Sequence, residues 1–521
     1  MPSQPNAILG TTGARQLLRR ATFTPSPKQV AIFAPLTRQA AADRLADYNP
    51  SNFRPQNNDI FIAHGKWMKY MLRTNLQLQE KMVLFLHDHF ATGNDKVVNP
   101  RAMSLQNRTL RRNSNANFKT LVKLINVDPA MLEYLDTHRN RRSNPNENYS
   151  RELLELFCLG VFDRNGKANY KQTDIVQIAR AFTGWRRDFS KVTPSQYLDK
   201  NQHDYMAFYD GNPGPNRGPK QIFGTAREDG PGNVGGFASP QSFAPIGGDV
   251  ENGGTEGEPE IDAVVDILFA HKDSDGQSTV ARFLTGKLLA YFCYPDPTAA
   301  LIDEVIADAN FATDFHPNQW NLGALLKAIF INDACYETGA EPDPDTGYAG
   351  AEKKSVKWPI DYVVSTLRLL DMRLKSKYPY IVDANLDVYD QLSNMGQILF
   401  EPPSVFGWDW ETSWISSTTL LSRYSFATDV ISARNASGKT IFRPDKLIDL
   451  DLTNGASIVD AVLEVLAMTG LFTTAERDAL IDYLTDNNPM APVDLNDYDV
   501  RNTKLHGLFG LVLQSAHYQV Q

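Results

Sequence analysis

Apolar residues recur every three to four positions along most of this chain, and that spacing is the pattern of helices with one buried face. No stretch alternates apolar and polar residues persistently enough to predict a large sheet. We therefore predict a predominantly α fold, a large multi-helix orthogonal bundle with long irregular Gly/Pro-rich insertions and at most a small β-hairpin. In the second half of the chain, helices are predicted over 261–270, 277–292, 299–308, 321–331, 356–371, 387–399, 417–433, 457–468, 474–485 and 500–516.

The composition, with 42% hydrophobic and 22% charged residues, is typical of a soluble globular protein. The net charge of -9 disfavours nucleic acid as the main partner, because such binding needs a basic surface. No apolar run approaches the roughly 20 residues of a transmembrane helix, and no signal peptide is visible. The cysteines, Cys158, Cys293 and Cys335, form no metal pattern or disulfide framework, and apolar helical surroundings predict buried thiols at Cys158 and Cys293.

We predict one large helical domain over residues 1–521 with two irregular excursions. The first, at about 211–260, is rich in glycine and proline and poor in aliphatic residues. The second covers about 337–354. A loop as long as the first is usually functional or mobile, which makes it a candidate surface for a partner.

Residues 144–160 are predicted to form a short helix with charged side chains along one face. We expect Asn144 to cap it, with Pro145 in the first helical position and Glu147 completing a capping box. Gly160 should end it in the left-handed conformation. At 100° per residue, five polar residues share an arc of roughly 140°. They are Glu147, Asn148, Arg151, Glu152 and Glu155. Such a face is either a solvated stripe or the floor of a polar site, and both remain open.

His87, Asp88 and His89 end a strongly apolar helix and form a second candidate site. Residues two apart on a regular helix point about 200° away from each other, so His87 and His89 could share an ion only at a fraying helix end. With a carboxylate delivered from elsewhere, a divalent metal held by His87, His89 and Glu147 is one hypothesis. Hydrogen bonding at the helix end or simple burial is the other.

Asn148 on the polar face and several further polar and aromatic residues are candidates for binding a substrate or partner. Asp174 and Arg180 share one side of a short helix that leads to Trp185, and Trp408 leaves a Pro-rich loop. Aromatic residues beside polar side chains form clefts, but they equally often pin a loop to a core. Two short acidic turns, Asp273–Gly276 and 343–347, weakly resemble calcium loops but lack the later glutamate, so structural calcium is the less favoured ion.

Motifs along nearly the whole chain resemble the bacterial domain-of-unknown-function 1800 family. They occur in order at 17–23, 80–82, 87–89, 146–160, 170–185, 271, 279–283, 287–288, 396–408, 420–423 and 515–521. Some positions depart from the family pattern. Leu86 stands where tryptophan is expected, Asp88 where asparagine is usual, and Trp358 and Asp361 where serine and glutamate are expected. Phe157 replaces a frequent histidine, which removes one candidate metal ligand.

The resemblance implies an extracytoplasmic protein, periplasmic or secreted, and a sulfatase-like companion protein as its partner. It implies no established reaction. We favour a binding or assembly role, in which the polar helix face is an internal salt-bridge network. The alternative is a metal-assisted hydrolase or other enzyme in which a carboxylate or histidine activates water and Arg151 holds an anionic group. Its catalytic residues would be Arg151, Glu152, Glu155 and His87.

Overall fold

Helices form most of the described chain, as the periodicity predicts. The computed structural model describes residues 3–187, 207–209, 219–243, 258–336, 354–374, 386–435 and 437–521. The helices of the first part are α1 (Gly10–Ala21), α2 (Pro27–Phe33), α3 (Arg38–Ala46), α4 (Ile60–Arg73), α5 (Gln77–His89), α6 (Asn94–Val97), α7 (Pro100–Arg112), α8 (Phe118–Asn126), α9 (Pro129–Tyr134), α10 (Asn148–Glu152) and α11 (Gln172–Ala181).

The second part of the chain is equally helical. Its helices are α12 (Glu258–Phe269), α13 (Thr279–Phe292), α14 (Ala299–Ala309), α15 (Leu322–Ile331), α16 (Pro359–Leu369), α17 (Val388–Asn394), α18 (Ser417–Ser432), α19 (Gly455–Val465), α20 (Thr474–Thr485), α21 (Tyr498–Val500), α22 (His506–Gln514) and α23 (Ala516–Gln519). Wider π-helical turns follow α10 at Leu153–Cys158 and α21 at Arg501–Leu505. Short 3₁₀ turns lie at Thr137–Arg139, Val234–Gly236, Asp333–Cys335, Glu411–Trp414 and Pro444–Lys446.

Many helices begin where a short polar side chain caps the first turn. Ser26 and Gln29 form a capping box on α2, and Thr473 and Glu476 form one on α20. The predicted helix 387–399 is shorter in the structure, since α17 ends at Asn394 and Gly396 adopts a φ of 91°. A left-handed glycine stops a helix because the chain can no longer make the next turn.

Two small antiparallel hairpins accompany the helices. β1 (Trp185–Arg187) pairs with β2 (Ala207–Tyr209), and β3 (Lys220–Ile222) pairs with β4 (Gln241–Phe243). The second hairpin lies in the Gly/Pro-rich excursion and packs on α11. The described part of that excursion, 219–243, is therefore attached to the helical body. The second predicted excursion, 337–354, lies outside the described residues except for Lys354.

Helix α5 passes through the middle of the core, and all thirteen of its residues are buried. It packs on α7, and two of its charged side chains form buried ion pairs. Glu80 receives hydrogen bonds from Arg111 Nε and Nη2 at 2.7 and 2.8 Å, and from Trp67 Nε1 at 2.8 Å. Lys81 Nζ donates to Asp361 Oδ2 at 3.3 Å, which ties α5 to α16. Each charge is paired because an unpaired ion in this position would lose its hydration without compensation.

The last residues of the chain pack into the same core. Val520 forms a β-bridge with Val356, and Arg423 Nη1 donates to the side chain of Gln519 at 3.1 Å. Tyr518 is fully buried with the Lys357 ammonium 3.8 Å from its ring centroid. Tyr518, Gln519 and Gln521 of the motif at 515–521 are thus buried against the helical body. All three cysteines are buried and free, as expected for Cys158 and Cys293. Within the described ranges, no helix is long and apolar enough to span a bilayer.

We predict that Glu80→Gln lowers the free energy of unfolding by about 3–5 kcal/mol, because it leaves the Arg111 guanidinium buried without its counter-charge. Urea unfolding followed by circular dichroism measures the change. The control is Lys119→Gln, which removes a pair with Asp266, a side chain that is 55% exposed. This control should change stability by less than about 1 kcal/mol, and equal losses in the two variants would contradict the prediction.

Candidate functional site

The polar helix begins later than its sequence predicts. Asn144 forms a β-bridge with Arg141, and the first helical residue is Asn148. The predicted Asn144 cap and Glu147 capping box are therefore wrong. The backbone N–H of Asn148 instead donates to Asn146 Oδ1 at 2.9 Å, an Asx turn that competes with an earlier helical turn.

The second half of this helix is a π-helical segment, Leu153–Cys158. The carbonyl of Leu154 accepts from the backbone N–H of both Leu159 and Gly160, at 2.9 and 3.1 Å. Gly160 then ends the segment with a φ of 76°, which confirms the predicted stop. A π turn inserts one extra residue and so rotates the side chains that follow it, which a regular 100° wheel cannot anticipate.

The charged face pairs its side chains with one another and with α11. Arg151 lies 3.4 Å from Glu147 on one side and 3.4 Å from Glu155 on the other. Gln172 donates to Glu147 at 2.6 Å and accepts from Arg151 at 3.0 Å. The hydroxyl of Tyr170 donates to Glu155, whose side chain is 21% exposed. The predicted face exists, and the carboxylates of Glu147 and Glu155 are each paired with Arg151 and with one neutral donor.

Glu152 differs from its neighbours on this face. Its carboxylate has no hydrogen-bond donor among the described residues, and burial together with the charge of Glu155 raises its pKa, against a smaller lowering by Arg151. The side chain of Asn148 is exposed. The surroundings of Glu152 therefore favour its protonated form.

The three residues at the end of α5 point into different surroundings. His87 is buried among Trp67, Phe400 and Trp408, with ring centroids 5.1 to 5.9 Å away. Its Nε2 has no hydrogen-bond partner in the described chain, and burial lowers its pKa to about 3. This histidine is therefore neutral at physiological pH.

Asp88 anchors the Pro-rich loop onto α5. Its Oδ1 accepts from the backbone N–H of Trp408 at 2.7 Å, and its Oδ2 accepts from Trp410 Nε1 at 3.1 Å. Gly407, with a φ of 87°, is needed here because a Cβ would collide with this carboxylate. Burial raises the pKa of Asp88 to about 7, and the nearby Lys287 opposes that shift.

His89 joins α5 to the π segment and to α13. The carbonyl oxygen of Phe157 lies 3.0 Å from His89 Nε2. Because a carbonyl can only accept, Nε2 is the protonated ring nitrogen and donates this hydrogen bond. Nδ1 is then the acceptor for Lys287 Nζ at 3.3 Å. Burial, followed by the Lys287 charge, lowers the pKa of His89 well below its usual value. The histidine therefore meets the polar helix on its buried side, whereas Glu147 contacts the first residue of α11 and Glu155 contacts Tyr170 just before it.

The metal hypothesis requires His87, His89 and Glu147 to lie around one common position. His87, His89 and Glu147 have different neighbours, and the part of the chain that the structure describes holds no group of three or more His, Cys, Asp or Glu residues able to bind a metal. In the turn at Asp273, Arg282 Nη1 lies 2.8 Å from Asp273 and 2.7 Å from Asp275. The same guanidinium also pairs with Asp303 at 2.8 Å, so an arginine occupies the place between these carboxylates. The other acidic turn, 343–347, lies outside the described residues.

The remaining candidates have structural contacts. Asp174 accepts from the backbone N–H groups of Lys171 at 2.7 Å and Phe223 at 2.8 Å, which fixes the second hairpin to α11. Arg180 Nη1 donates to Gln177 Oε1. Trp185 and Trp408 are each 3% exposed. The roles predicted for them in binding stay predictions.

Sequence reasoning did not assign Tyr170, Gln172 or Lys287 to the site, although the family motifs at 170–185 and 287–288 contain them. Tyr170 lies just before α11 and Gln172 is its first residue, and the polar stretch that contains both was a usable signal for contacts with the preceding helix. Lys287 lies within the apolar helix α13, and nothing local links it to residue 89.

We predict that Glu155→Gln lowers the free energy of unfolding by about 1 kcal/mol, because it weakens partly exposed contacts with Arg151 and Tyr170. Glu152→Gln is the matched control on the same helix. It removes a like-charge repulsion and should be neutral or stabilising at neutral pH. Chemical unfolding of both variants measures the difference, and a reversed order would contradict the pairing.

We predict a pH dependence of stability from Asp88. Its folded pKa, about 7, exceeds the ordinary 3.8, so between these values the unfolded chain has lost a proton that the folded chain retains. The contribution of Asp88 to the free energy of unfolding is therefore fully present below about pH 4. It falls by at most about 1.4 kcal/mol per pH unit as the pH rises towards 7. Asp88→Asn should flatten that slope in urea unfolding. An unchanged slope would show that Asp88 ionises normally.

Comparison with known proteins places the whole architecture in one family. Neither the curated proteins nor the solved structures include a match. A family model described as a protein of unknown function (DUF1800) matches residues 16–520, nearly the entire chain. The chain therefore belongs to the DUF1800 family.

Proposed function

We propose that this chain is a non-catalytic binding or assembly protein that acts outside the cytoplasm with a partner protein. One observation carries the proposal: Glu147 and Glu155 are engaged by Arg151, Gln172 and Tyr170. A catalytic carboxylate needs access to substrate and a pKa matched to proton transfer. Carboxylates held by an arginine and neutral donors instead suit a rigid support.

The surface next to this support is the candidate for docking. Phe162 is 63% exposed and Val161 is 43% exposed, in a turn that packs against the described part of the Gly/Pro-rich excursion. Arg227 Nη1 donates to the Ala168 carbonyl at 2.8 Å, and the Ala168 N–H donates to Asp229 at 2.7 Å. We propose this exposed apolar pair, held by the hydrogen-bonded turn, as the centre of the docking surface. The sulfatase-like companion implied by the family resemblance is the partner we propose.

A metal-assisted hydrolase is the alternative, and the raised pKa of Glu152 is the observation that favours it. A carboxyl that keeps its proton nearer neutral pH can act as a general acid. Elemental analysis of protein purified without chelator separates the two functions. A stoichiometric divalent ion that Glu152→Gln or His87→Ala removes would favour the enzyme.

We predict that Phe162→Glu weakens binding of the sulfatase-like companion at least about tenfold, because a charge would replace a buried apolar contact in the complex. Co-expression and size-exclusion chromatography with light scattering measure the complex. The control is Phe61→Glu, since Phe61 is 53% exposed at the start of α4 and packs on Tyr389. Both variants should keep the wild-type circular dichroism spectrum. Equal binding by the two variants, or no complex with wild type, would refute this docking surface.

A further inference from the structure

Two of the three buried cysteines meet in the core, although they lie in separate segments of the chain. Cys293 caps the C-terminal end of α13, and Cys335 is the last residue of the 3₁₀ turn that follows α15. The side chains of the two cysteines share a hydrogen bond. Their exposed fractions are 1% and 0%. Two thiols in contact need only small side-chain rotations to reach the geometry of a disulfide.

The packing around the pair holds the two segments together. Phe292, in the last turn of α13, packs edge to face on Phe330 of α15, with ring centroids 5.5 Å apart. The backbone N–H of Cys335 donates to the Asn332 carbonyl at 3.1 Å, and the N–H of Ala334 donates to Asn332 Oδ1 at 2.9 Å. These contacts fix the 3₁₀ turn against the end of α13 and so keep the two thiols side by side.

Two arginines lie beside this pair. Arg20 Nη1 donates to the carbonyl of the residue before Cys335 at 2.7 Å, and the Arg38 guanidinium lies 3.9 Å from the ring centroid of Tyr336. The hydrogen bond from Cys293 lowers the pKa of Cys335 against the effect of burial, and the two guanidinium charges lower it further. A lower pKa enlarges the thiolate fraction, and the thiolate is the form that attacks a disulfide.

We propose that Cys293 and Cys335 form a disulfide when the chain folds in an oxidising compartment. The Cys335 thiolate attacks one sulfur of an external disulfide and releases the other sulfur as a thiolate. The Cys293 thiolate then attacks the Cys335 sulfur of this mixed disulfide and releases the second thiolate. The external disulfide gains two electrons and becomes two thiols, which take up the two protons that the cysteines lose.

The bond would close a loop that contains α14 and α15. Closing a loop restricts the unfolded chain and thereby stabilises the folded one. The exchange precedes closure of the core, because both thiols are buried in the folded chain. This inference does not rest on the function proposed above, since neither the polar helix nor the Phe162 surface contains Cys293 or Cys335.

The test is peptide mapping of the full chain exported to the bacterial periplasm, where disulfide-carrying oxidants act on chains as they fold. The same chain from the reducing cytoplasm is the reference. Free thiols are alkylated in denaturant, and the unreduced protein is digested and analysed by mass spectrometry. We expect peptides linked through Cys293 and Cys335 in the periplasmic protein only, with Cys158 alkylated in both. A reductant should lower the melting temperature of the periplasmic protein by at least about 2 °C.

Cys158→Ala is the matched control, because it removes an equally buried thiol from the π segment. It should keep both the cross-link and the response to reductant. Cys335→Ala should lose both, with Cys293 alkylated in the two preparations. Alkylation of Cys293 and Cys335 in the periplasmic wild type, or a link from either to Cys158, would overturn the proposal. The wild-type map decides the question even where a variant fails to fold.

Discussion

The burial of α5 on every side is the constraint on which the rest of the structure depends. This helix carries Glu80 and Lys81 into the core, so distant parts of the chain must supply opposite charges. Arg111 comes from α7 and Asp361 from α16, and each pairing fixes the position of another helix. Burial lowers the pKa of Lys81, an effect that Asp361 opposes. Replacing such pairs by apolar residues can be neutral, but removing one partner is costly. The pairs therefore make the packing arrangement specific.

Two residues at the end of α5 anchor the region that the sequence marked as a candidate site. Asp88 holds the Trp408 loop, and His89 holds the π segment and Lys287. Phe157 lies in the last turn of this segment, where helix carbonyls have no partner within the helix, so its oxygen accepts from His89 instead. Polar residues close to one another in sequence thus act as separate anchors.

In the polar helix, the spacing of the carboxylates likewise does not determine what each carboxylate does. Three glutamates on one face are compatible with a metal, with acid–base chemistry or with a network of ion pairs, and spacing does not distinguish these uses. The partners distinguish them, since Gln172 and Tyr170 satisfy Glu147 and Glu155 while Glu152 is left with a raised pKa.

The sequence alone determined the helical class, most helix limits, the buried thiols and the charged face. These follow from residue spacing and from local caps such as Ser26 and Thr473, which act within a few residues. It did not determine the start of the polar helix, where the Asn146 turn competes with the predicted cap, or its π segment. Only the tertiary structure decided which charges meet. Asp88 contacts Trp408 across 320 positions, and Glu155 contacts Tyr170 through the packing of two helices. Whether a carboxylate is a site or a support depends on such contacts, because they set its burial, hydrogen bonding and pKa.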